Sequence, residues 1–388
     1  MKITFQYDFL SELGGIERVM AMHALWLEHY QPSLSFITIN EKTKNDFVRN
    51  YALPKSIPIN KVSCLPSFFG DLKIIFNFLN LFPRKINSDL IISHGFFSSF
   101  FCYKLKKLYG QKYSIFIHHP PNFLYLTSKN EKKEFADSPK RKIAILVGSL
   151  FNSPLKKLDK IVVKNAERIF VNSEYTKKRV RHIYGNDALI CYPTFGVNFK
   201  IKNKKYTHYL FRKFNIPEKF ILCHGRIIPD KRVDLVIKAI CHLKDYLVIS
   251  GQISKEMRIK LLNVIHNLNV HDKVSILGRI EEKDLICLYN EAEVFVLSAP
   301  KEDFGLTPLE AMACGTPCVA WADNAGPSET IIPGVNGFLV LPYDTKDLAN
   351  KILLAKSLKK NRKLISDSVK RFSELQAKNK FLDYLHIK

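Results

Sequence analysis

The stretch Ser298-Ala-Pro-Lys-Glu-Asp-Phe-Gly-Leu-Thr-Pro-Leu-Glu-Ala-Met-Ala-Cys-Gly-Thr-Pro317 decides how the chain is read. It follows the apolar run Val294–Leu297 and leads into a helix-forming segment, so it predicts a strand, a tight turn and a helix in close succession. Gly305 lets backbone approach a ligand closely at that turn, and the first amides of the new helix are free to meet an anion. Glu302 and Glu310 flank the turn with seven residues between them. Carboxylates so placed can accept hydrogen bonds from ligand hydroxyls. A plainer reading competes for Glu310: Thr307, Pro308 and Glu310 fit the N-cap, first and third positions of a capping box, which would make Glu310 a brace for the helix.

A second strand–turn–helix signal lies upstream in Cys223-His-Gly-Arg-Ile-Ile-Pro-Asp-Lys-Arg-Val-Asp234. Arg226 and Lys231 can reach one diphosphate together, the arginine as a fork and the lysine as a point charge. Arg232 is expected to point elsewhere on the helix. Surface arginines and lysines are common, so this segment alone says little.

Around these two segments the chain alternates short β-rich runs with helical periodicity. The runs in the first half are Ile3–Phe5, Leu34–Ile39, Leu90–Ser93, Tyr113–Ile117 and Arg168–Val171, with helices predicted over Glu17–His29 and Glu174–Tyr184. Those in the second half are Phe220–Cys223, Tyr246–Ile249, Val274–Leu277, Val294–Leu297 and Cys318–Ala320, with helices over Arg232–Leu243, Lys255–Leu268 and Glu282–Glu291. Such alternation predicts an α/β protein of two Rossmann-like, doubly wound domains facing a central cleft, with the ligand near the carboxyl ends of the strands. Pro193, Gly196 and the lysine-rich Lys200–Lys205 put the seam near Pro193–Tyr206. The expected domains are 1–197 and 198–372, with 373–388 packing back on the first. The polar segment Asn122–Lys140 is long for a connection and fits a loop beside a site.

The bulk numbers agree with a globular chain. Its 388 residues exceed one ordinary core, and 46% are hydrophobic. No apolar run approaches the roughly 18–20 residues that cross a membrane. Asp8 and Glu12 interrupt the first apolar run, which therefore reads as a strand rather than a signal peptide. The cysteines are scattered without CxxC spacing, which argues against a zinc site or a disulfide framework and for a reducing cytoplasm. The net charge of +24 favours nucleic acid, an anionic membrane surface or phosphorylated ligands.

Taken together, the two segments resemble the family-4 glycosyltransferases of the GT-B fold, the glycosyl transferases of group 1. The matching features are Gly225-Arg226 with Lys231, Glu302 and Glu310 with Phe304-Gly305-Leu306, Glu310-Ala-Met-Ala-Cys-Gly-Thr-Pro317, Gly326-Pro-Ser-Glu329 and Gly334-Val-Asn-Gly-Phe-Leu-Val340. The likeness is dense over about residues 220–345 and thinner before them. It implies that Arg226 and Lys231 neutralise the departing diphosphate of a nucleotide sugar, helped by the amides of Gly305 and Leu306. It also implies that Glu310 holds the ribose, that Glu302 binds the sugar near the reacting carbon, and that Arg279 and Ile280 contact the base. Plain packing is the competing reading for Ile280.

In the first half Leu13-Gly-Gly-Ile-Glu17 resembles the family's glycine loop, so Gly14 and Gly15 would approach phosphate and acceptor. An ordinary tight turn is the alternative. His118 looks like the histidine that the family places near the donor sugar, with His119 competing for the role by one position. No Asp-x-Asp pair occurs, so the resemblance implies a metal-free, cofactor-free, retaining transfer in which fixed cations and helix N-termini replace a metal. His118-His-Pro-Pro-Asn-Phe-Leu-Tyr125, Lys231-Arg-Val-Asp234 and Glu302-Asp-Phe-Gly305 look closest to mannosyltransferases of lipid-linked glycans, which makes GDP-mannose the first donor expected. A UDP-sugar donor and a sugar-nucleotide epimerase or phosphorylase on the same fold are the alternatives. The acceptor expected is a glycan or a polyprenyl-linked one, received by a protein peripheral on the cytoplasmic face of the membrane. The apolar segment Ser67–Phe82, flanked by Arg84 and Lys85, either touches lipid or packs as a helix on the first sheet. A nucleic-acid-binding protein is the reading from a different class. It would require aromatic–basic platforms or a known binding module, and neither is found.

Overall fold

The computed structural model describes residues 1–10, 14–61, 84–126, 132, 139–203 and 205–387. The Ser67–Phe82 segment, Leu13 of the glycine loop and most of 127–138 lie outside the described residues. The chain divides into two compact units. The first is Met1–Tyr125, Ala144–Tyr192 and Lys378–Lys388, and the second is Leu126–Ile143 and Pro193–Ala377.

The first unit holds a seven-stranded sheet built from β1 (Ile3–Leu10), β2 (Pro32–Ile39), β3 (Ile59–Lys61), β4 (Leu90–Ser93), β5 (Tyr113–Ile117), β6 (Ile169–Val171) and β7 (Leu189–Ile190). Its spatial order is β3-β2-β1-β4-β5-β6-β7, every neighbour pair running parallel. The second unit repeats the scheme with β8 (Phe220–His224), β9 (Tyr246–Ser250), β10 (Val274–Gly278), β11 (Val294–Val296), β12 (Cys318–Trp321) and β13 (Gly337–Val340), in the order β10-β9-β8-β11-β12-β13. Both are doubly wound sheets whose order reverses beside the first strand of the set, between β1 and β4 and between β8 and β11. Central strands such as β5 and β11 are buried at every position, as expected where helices cover both faces. That is why they read as near-continuous apolar runs rather than alternating ones.

The expected strands are present, most within one or two residues of their expected ends; β1 extends to Leu10 rather than stopping at Phe5. Three strands add to them. The edge strand β3 is exposed and β7 has two residues, so neither leaves a hydrophobic signature. β13 begins at Gly337, where a Cβ would stand 1.9 Å from the Cys318 carbonyl oxygen; the close approach of β12 demands glycine there. The Asn122–Lys140 segment is not loop throughout: Asn122–Tyr125 is helical, and a helix spans Pro139–Leu150. In the helix Glu374–Leu385, Phe381 is fully buried and stacks on His23, with ring centroids 4.0 Å apart. The core of the second unit joins its strands to the helices Val233–Ile240 and Thr345–Lys356 through Val236, Ile237, Leu348 and Ile352.

Candidate functional site

In a doubly wound sheet, ligands bind beyond the carboxyl ends of the strands where the order reverses. In the second unit those ends belong to β8 and β11. The two segments singled out by sequence start there, one from each strand.

After β8 the chain passes Gly225, whose N–H donates to the Ser250 carbonyl at 3.2 Å. A Cβ on Gly251 would come within 1.8 Å of the Gly225 carbonyl oxygen, so the loops after β8 and β9 are in backbone contact. The Gly251 N–H donates in turn to the Gly278 carbonyl at the end of β10 (2.7 Å). Gly251 thus ties three strand ends into one rim, which Arg279, exposed, and Ile280, half-buried, continue. A 3-10 turn over Pro229–Lys231 follows, and Arg232 then takes a left-handed conformation before the helix Val233–Ile240. Arg226 is exposed on this loop, and Arg232 turns to Asp234 at 3.2 Å.

The loop after β11 is latched onto this one. The Ser298 hydroxyl donates to the Lys231 carbonyl (2.7 Å), and the indole N–H of buried Trp321 donates to the Ser298 carbonyl (2.8 Å). Lys231 Nζ meets Glu302 Oε2 at 2.5 Å, with both side chains half-buried. The structure therefore pairs the cation expected at the diphosphate with the carboxylate expected at the sugar. The Glu302 carbonyl accepts the Gly326 N–H at 2.8 Å, which anchors this loop to the segment Gly326-Pro-Ser-Glu329. Phe304 is buried, its ring 5.6 Å from that of Phe372.

The turn into the next helix corrects the capping-box expectation. The helix runs Leu306–Ala313, and its N-cap is Gly305 at φ +89°, with no side-chain cap. Thr307 and Pro308 lie inside the first turn, and Glu310 is one position beyond it. Gly305 reaches a backbone region closed to most side chains, and this starts the helix two residues early. The leading amides carry no side-chain cap and remain available to an anion. Glu310 is buried, and its Oε2 accepts from the Tyr289 hydroxyl at 3.1 Å. Burial, with the Glu310 carboxylate beside it, pushes the Tyr289 phenol well up, so it remains a donor. His224 lies near the same ring (6.0 Å) and bonds Ser250 Oγ at 2.9 Å; burial brings its pKa down to about 4, which keeps it neutral near pH 7. Among the described residues no cluster of histidine, cysteine, aspartate and glutamate side chains is placed to hold a metal ion.

In the first unit the corresponding strand ends are those of β1 and β4. Gly14 caps the helix Gly15–Trp26, and its N–H donates to Glu17 Oε2 at 3.0 Å. Its φ of −142° is extended backbone open to any residue, so the turn itself does not require glycine at 14. His118 follows β5 and is buried, with its Nε2 2.9 Å from Nδ1 of His94, the residue after β4. Burial holds both imidazoles well below their ordinary range. His119 is exposed, and its Nδ1 lies 3.1 Å from the Pro120 carbonyl oxygen. Asp8, buried on β1, accepts from the Ser98 N–H and hydroxyl, each at 2.6 Å, at the start of the helix Phe96–Tyr109. Burial outweighs those bonds and raises its pKa to about 6. A Cβ on Gly95 would fall 2.4 Å from the Asp8 carboxylate.

Sequence reading missed His94, Asp8, Gly251 and Tyr289. His94 had one available signal: it follows an apolar strand immediately, as His118 does.

Residues 210–372 match the family described as Glycosyl transferases group 1. The chain is 32% identical over 162 residues to a mannosylfructose-phosphate synthase of Agrobacterium fabrum, covering 39% of this chain and 35% of that protein. It is 28% identical over 222 residues to a D-inositol 3-phosphate glycosyltransferase of Mycolicibacterium smegmatis, covering 54% and 50%. The chain thus spans half or less of the length of these two curated relatives. Among solved structures it superposes on Anabaena HepE in complex with UDP-glucose with a TM-score of 0.77, at 18% identity over 100% of this chain and 99% of that one. On WaaG, a glycosyltransferase involved in lipopolysaccharide biosynthesis, the TM-score is 0.65 at 15% identity, over 98% and 99%. The fold is that of the GT-B glycosyltransferases, two Rossmann-like parallel-sheet domains.

Proposed function

We propose that this chain is a retaining, metal-independent glycosyltransferase of family 4 that moves a hexose from a nucleotide sugar onto a glycan or lipid-linked acceptor. One observation carries the reading. Lys231 and the uncapped N-terminus at Gly305–Leu306 sit on the two loops that leave the reversal strands β8 and β11, and Ser298 latches those loops together. A fixed ammonium and aligned peptide dipoles are what a departing diphosphate needs when no metal neutralises it. Arg226 adds a second cation from the exposed face of the same loop. The Lys231–Glu302 pair holds the lysine in place until a phosphate competes for it, and Glu302 then accepts from sugar hydroxyls. Glu310, oriented by Tyr289, is assigned to the ribose, and Arg279 and Ile280 on the shared rim to the base. Phe304 supports the turn from beneath. Within the first unit, Gly14, Gly15 and His118 are proposed as substrate-contacting residues.

GDP-mannose is the first donor proposed, on the segments His118–Tyr125, Lys231–Asp234 and Glu302–Gly305. A UDP-hexose is the second, favoured by the likeness to a structure that holds UDP-glucose. Attachment to an anionic membrane surface belongs to the same reading. No helix among the described residues is long and apolar enough to cross a membrane. The helix Pro139–Leu150 supports attachment: Leu146, Leu150 and adjoining Phe151 are 58%, 69% and 55% exposed, and Lys142 is exposed in its first turn, while Arg141 pairs with Asp230 at 3.8 Å.

The decisive experiment incubates purified protein with a panel of sugar nucleotides and lipid extracts, and follows nucleotide release and glycolipid mass. Donor-dependent release with a matching glycolipid, unchanged by EDTA, is the expected result. Release restored by Mn²⁺ after chelation would reject the metal-free mechanism, and no release from any donor would reject the reading.

A further inference from the structure

Two histidines end adjacent strands of the first sheet, and their rings share one hydrogen bond. His94 follows β4 and His118 follows β5; both are buried, and His94 Nδ1 lies 2.9 Å from His118 Nε2. At that distance one nitrogen carries the proton and the other accepts it. Which one donates decides what His118 offers through its remaining nitrogen, Nδ1.

The surroundings of His94 favour one answer. Its ring stacks on Phe116 at 5.2 Å and 8°, and lies 5.9 Å from the ring of Phe5. Its other nitrogen, Nε2, is buried with no partner among the described residues, and neither is there one for Nδ1 of nearby His23. If His118 donated, His94 would carry its proton on Nε2 and bury an N–H against aromatic rings. An unpaired buried N–H is rarer in folded proteins than an unpaired acceptor, and either costs about 1–3 kcal/mol. If His94 donates, only a lone pair is left at Nε2. Burial keeps both rings neutral, so the doubly protonated form does not compete.

We propose that His94 is a positioning residue: its Nδ1–H donates to His118 Nε2 and fixes His118 as the Nδ1–H tautomer, a neutral hydrogen-bond donor to a sugar hydroxyl rather than a base. The sugar partner rests on the functional reading above; the tautomer does not. His118 then holds a substrate hydroxyl by donation and removes no proton, which suits a transfer in which the leaving phosphate takes the acceptor's proton.

The test is nitrogen NMR on the full chain labelled at histidine nitrogens, near pH 7, with the two resonance sets assigned from His118→Gln and His94→Phe. The expected spectrum shows His118 protonated at Nδ1 and bare at Nε2. A proton on His118 Nε2, or on both nitrogens, would overturn the proposal. Asparagine can keep a donor near the place of Nδ1 and phenylalanine cannot. His94→Asn should therefore hold the tautomer and retain kcat/KM within about twofold, while His94→Phe lets the tautomers mix and loses about tenfold, the worth of one buried hydrogen bond. Equal behaviour of the two folded variants would also overturn it. If the wild-type chain turns over no sugar nucleotide while its spectrum is as expected, the functional reading fails and the His94 assignment stands.

Discussion

At Lys231 and Glu302 one contact joins two side chains 71 positions apart, and its environment separates a catalytic contribution from a structural one. Both groups are more than a fifth exposed, so the pair adds only about 0–1 kcal/mol to stability. A cation aimed at developing phosphate charge is worth far more, about 10²–10³-fold in rate. Lys231→Ala should lower kcat/KM by about that factor and Glu302→Gln by at least about tenfold, while the melting temperature moves by only a few degrees. Nucleotide-release kinetics beside calorimetry check this, and full activity in both variants would remove the pair from the site. Asp8 gives a stability prediction of definite sign. Its folded pKa of about 6 exceeds the ordinary aspartate value of 3.8, so the folded state holds the proton more tightly. The stabilisation from that proton is complete below about pH 4 and is lost as pH rises through about 6. Asp8→Asn keeps the neutral form at every pH, so its stability relative to wild type should improve by on the order of 2–3 kcal/mol between pH 4 and 7. Urea unfolding at both pH values measures it, and a pH-independent difference would show that Asp8 does not titrate there. The sequence offered Lys231 and Glu302 through composition and spacing. Their pairing was not legible, nor was the role of Asp8, because both depend on which loops the sheet order brings together.

At the scale of elements, strands and helices were readable where burial on both faces makes near-continuous apolar runs, as in Tyr113–Ile117, broken only by Ser114, and Val294–Val296. What failed was local geometry that depends on one dihedral or one close approach. Thr307, Pro308 and Glu310 satisfy every rule for a capping box, yet the helix starts at Leu306 because Gly305 adopts φ +89°. Gly251 carried no motif at all; its role appears only when β8, β9 and β10 lie side by side and leave no room for a Cβ. Gly305→Ala tests whether that turn serves a ligand as well as the fold. An alanine there is strained by its φ, and its Cβ would meet Pro308 Cγ at 3.0 Å. The variant should lose about 1–2 kcal/mol of stability and raise KM for the nucleotide sugar severalfold as the leading amides shift. Chemical denaturation and initial-rate kinetics separate the two effects. A destabilised variant with unchanged KM would confine Gly305 to folding.

For the whole molecule, the question is what a net charge of +24 is for. The proposed diphosphate site uses only Lys231 and Arg226, and the proposed membrane attachment would draw on more of the excess. The helix Pro139–Leu150 presents Ile143, Leu146, Val147 and Leu150 outward at spacings of three and four residues, next to exposed Lys142. Charged residues alone would suit nucleic acid, and an apolar stripe alone would suit a second protein chain. Side by side they suit an anionic lipid surface, where acyl chains take the stripe and headgroups the lysines. The protein should co-sediment with vesicles containing phosphatidylglycerol and bind phosphatidylcholine vesicles far less. Raising salt should weaken the attachment, because each surface lysine contributes only about 1 kcal/mol through a screened field. Replacing Leu146 and Leu150 together by glutamate should cut vesicle binding at least about tenfold, since two leucines each bring about 1.5–3 kcal/mol on burial. The same variant should turn over a water-soluble acceptor at the wild-type rate, because neither leucine belongs to the loops proposed to hold the donor. If vesicle binding persisted in the variant while a dimer fell apart into monomers on gel filtration, the stripe would be a contact between two copies of the chain, and the basic surface would need another partner.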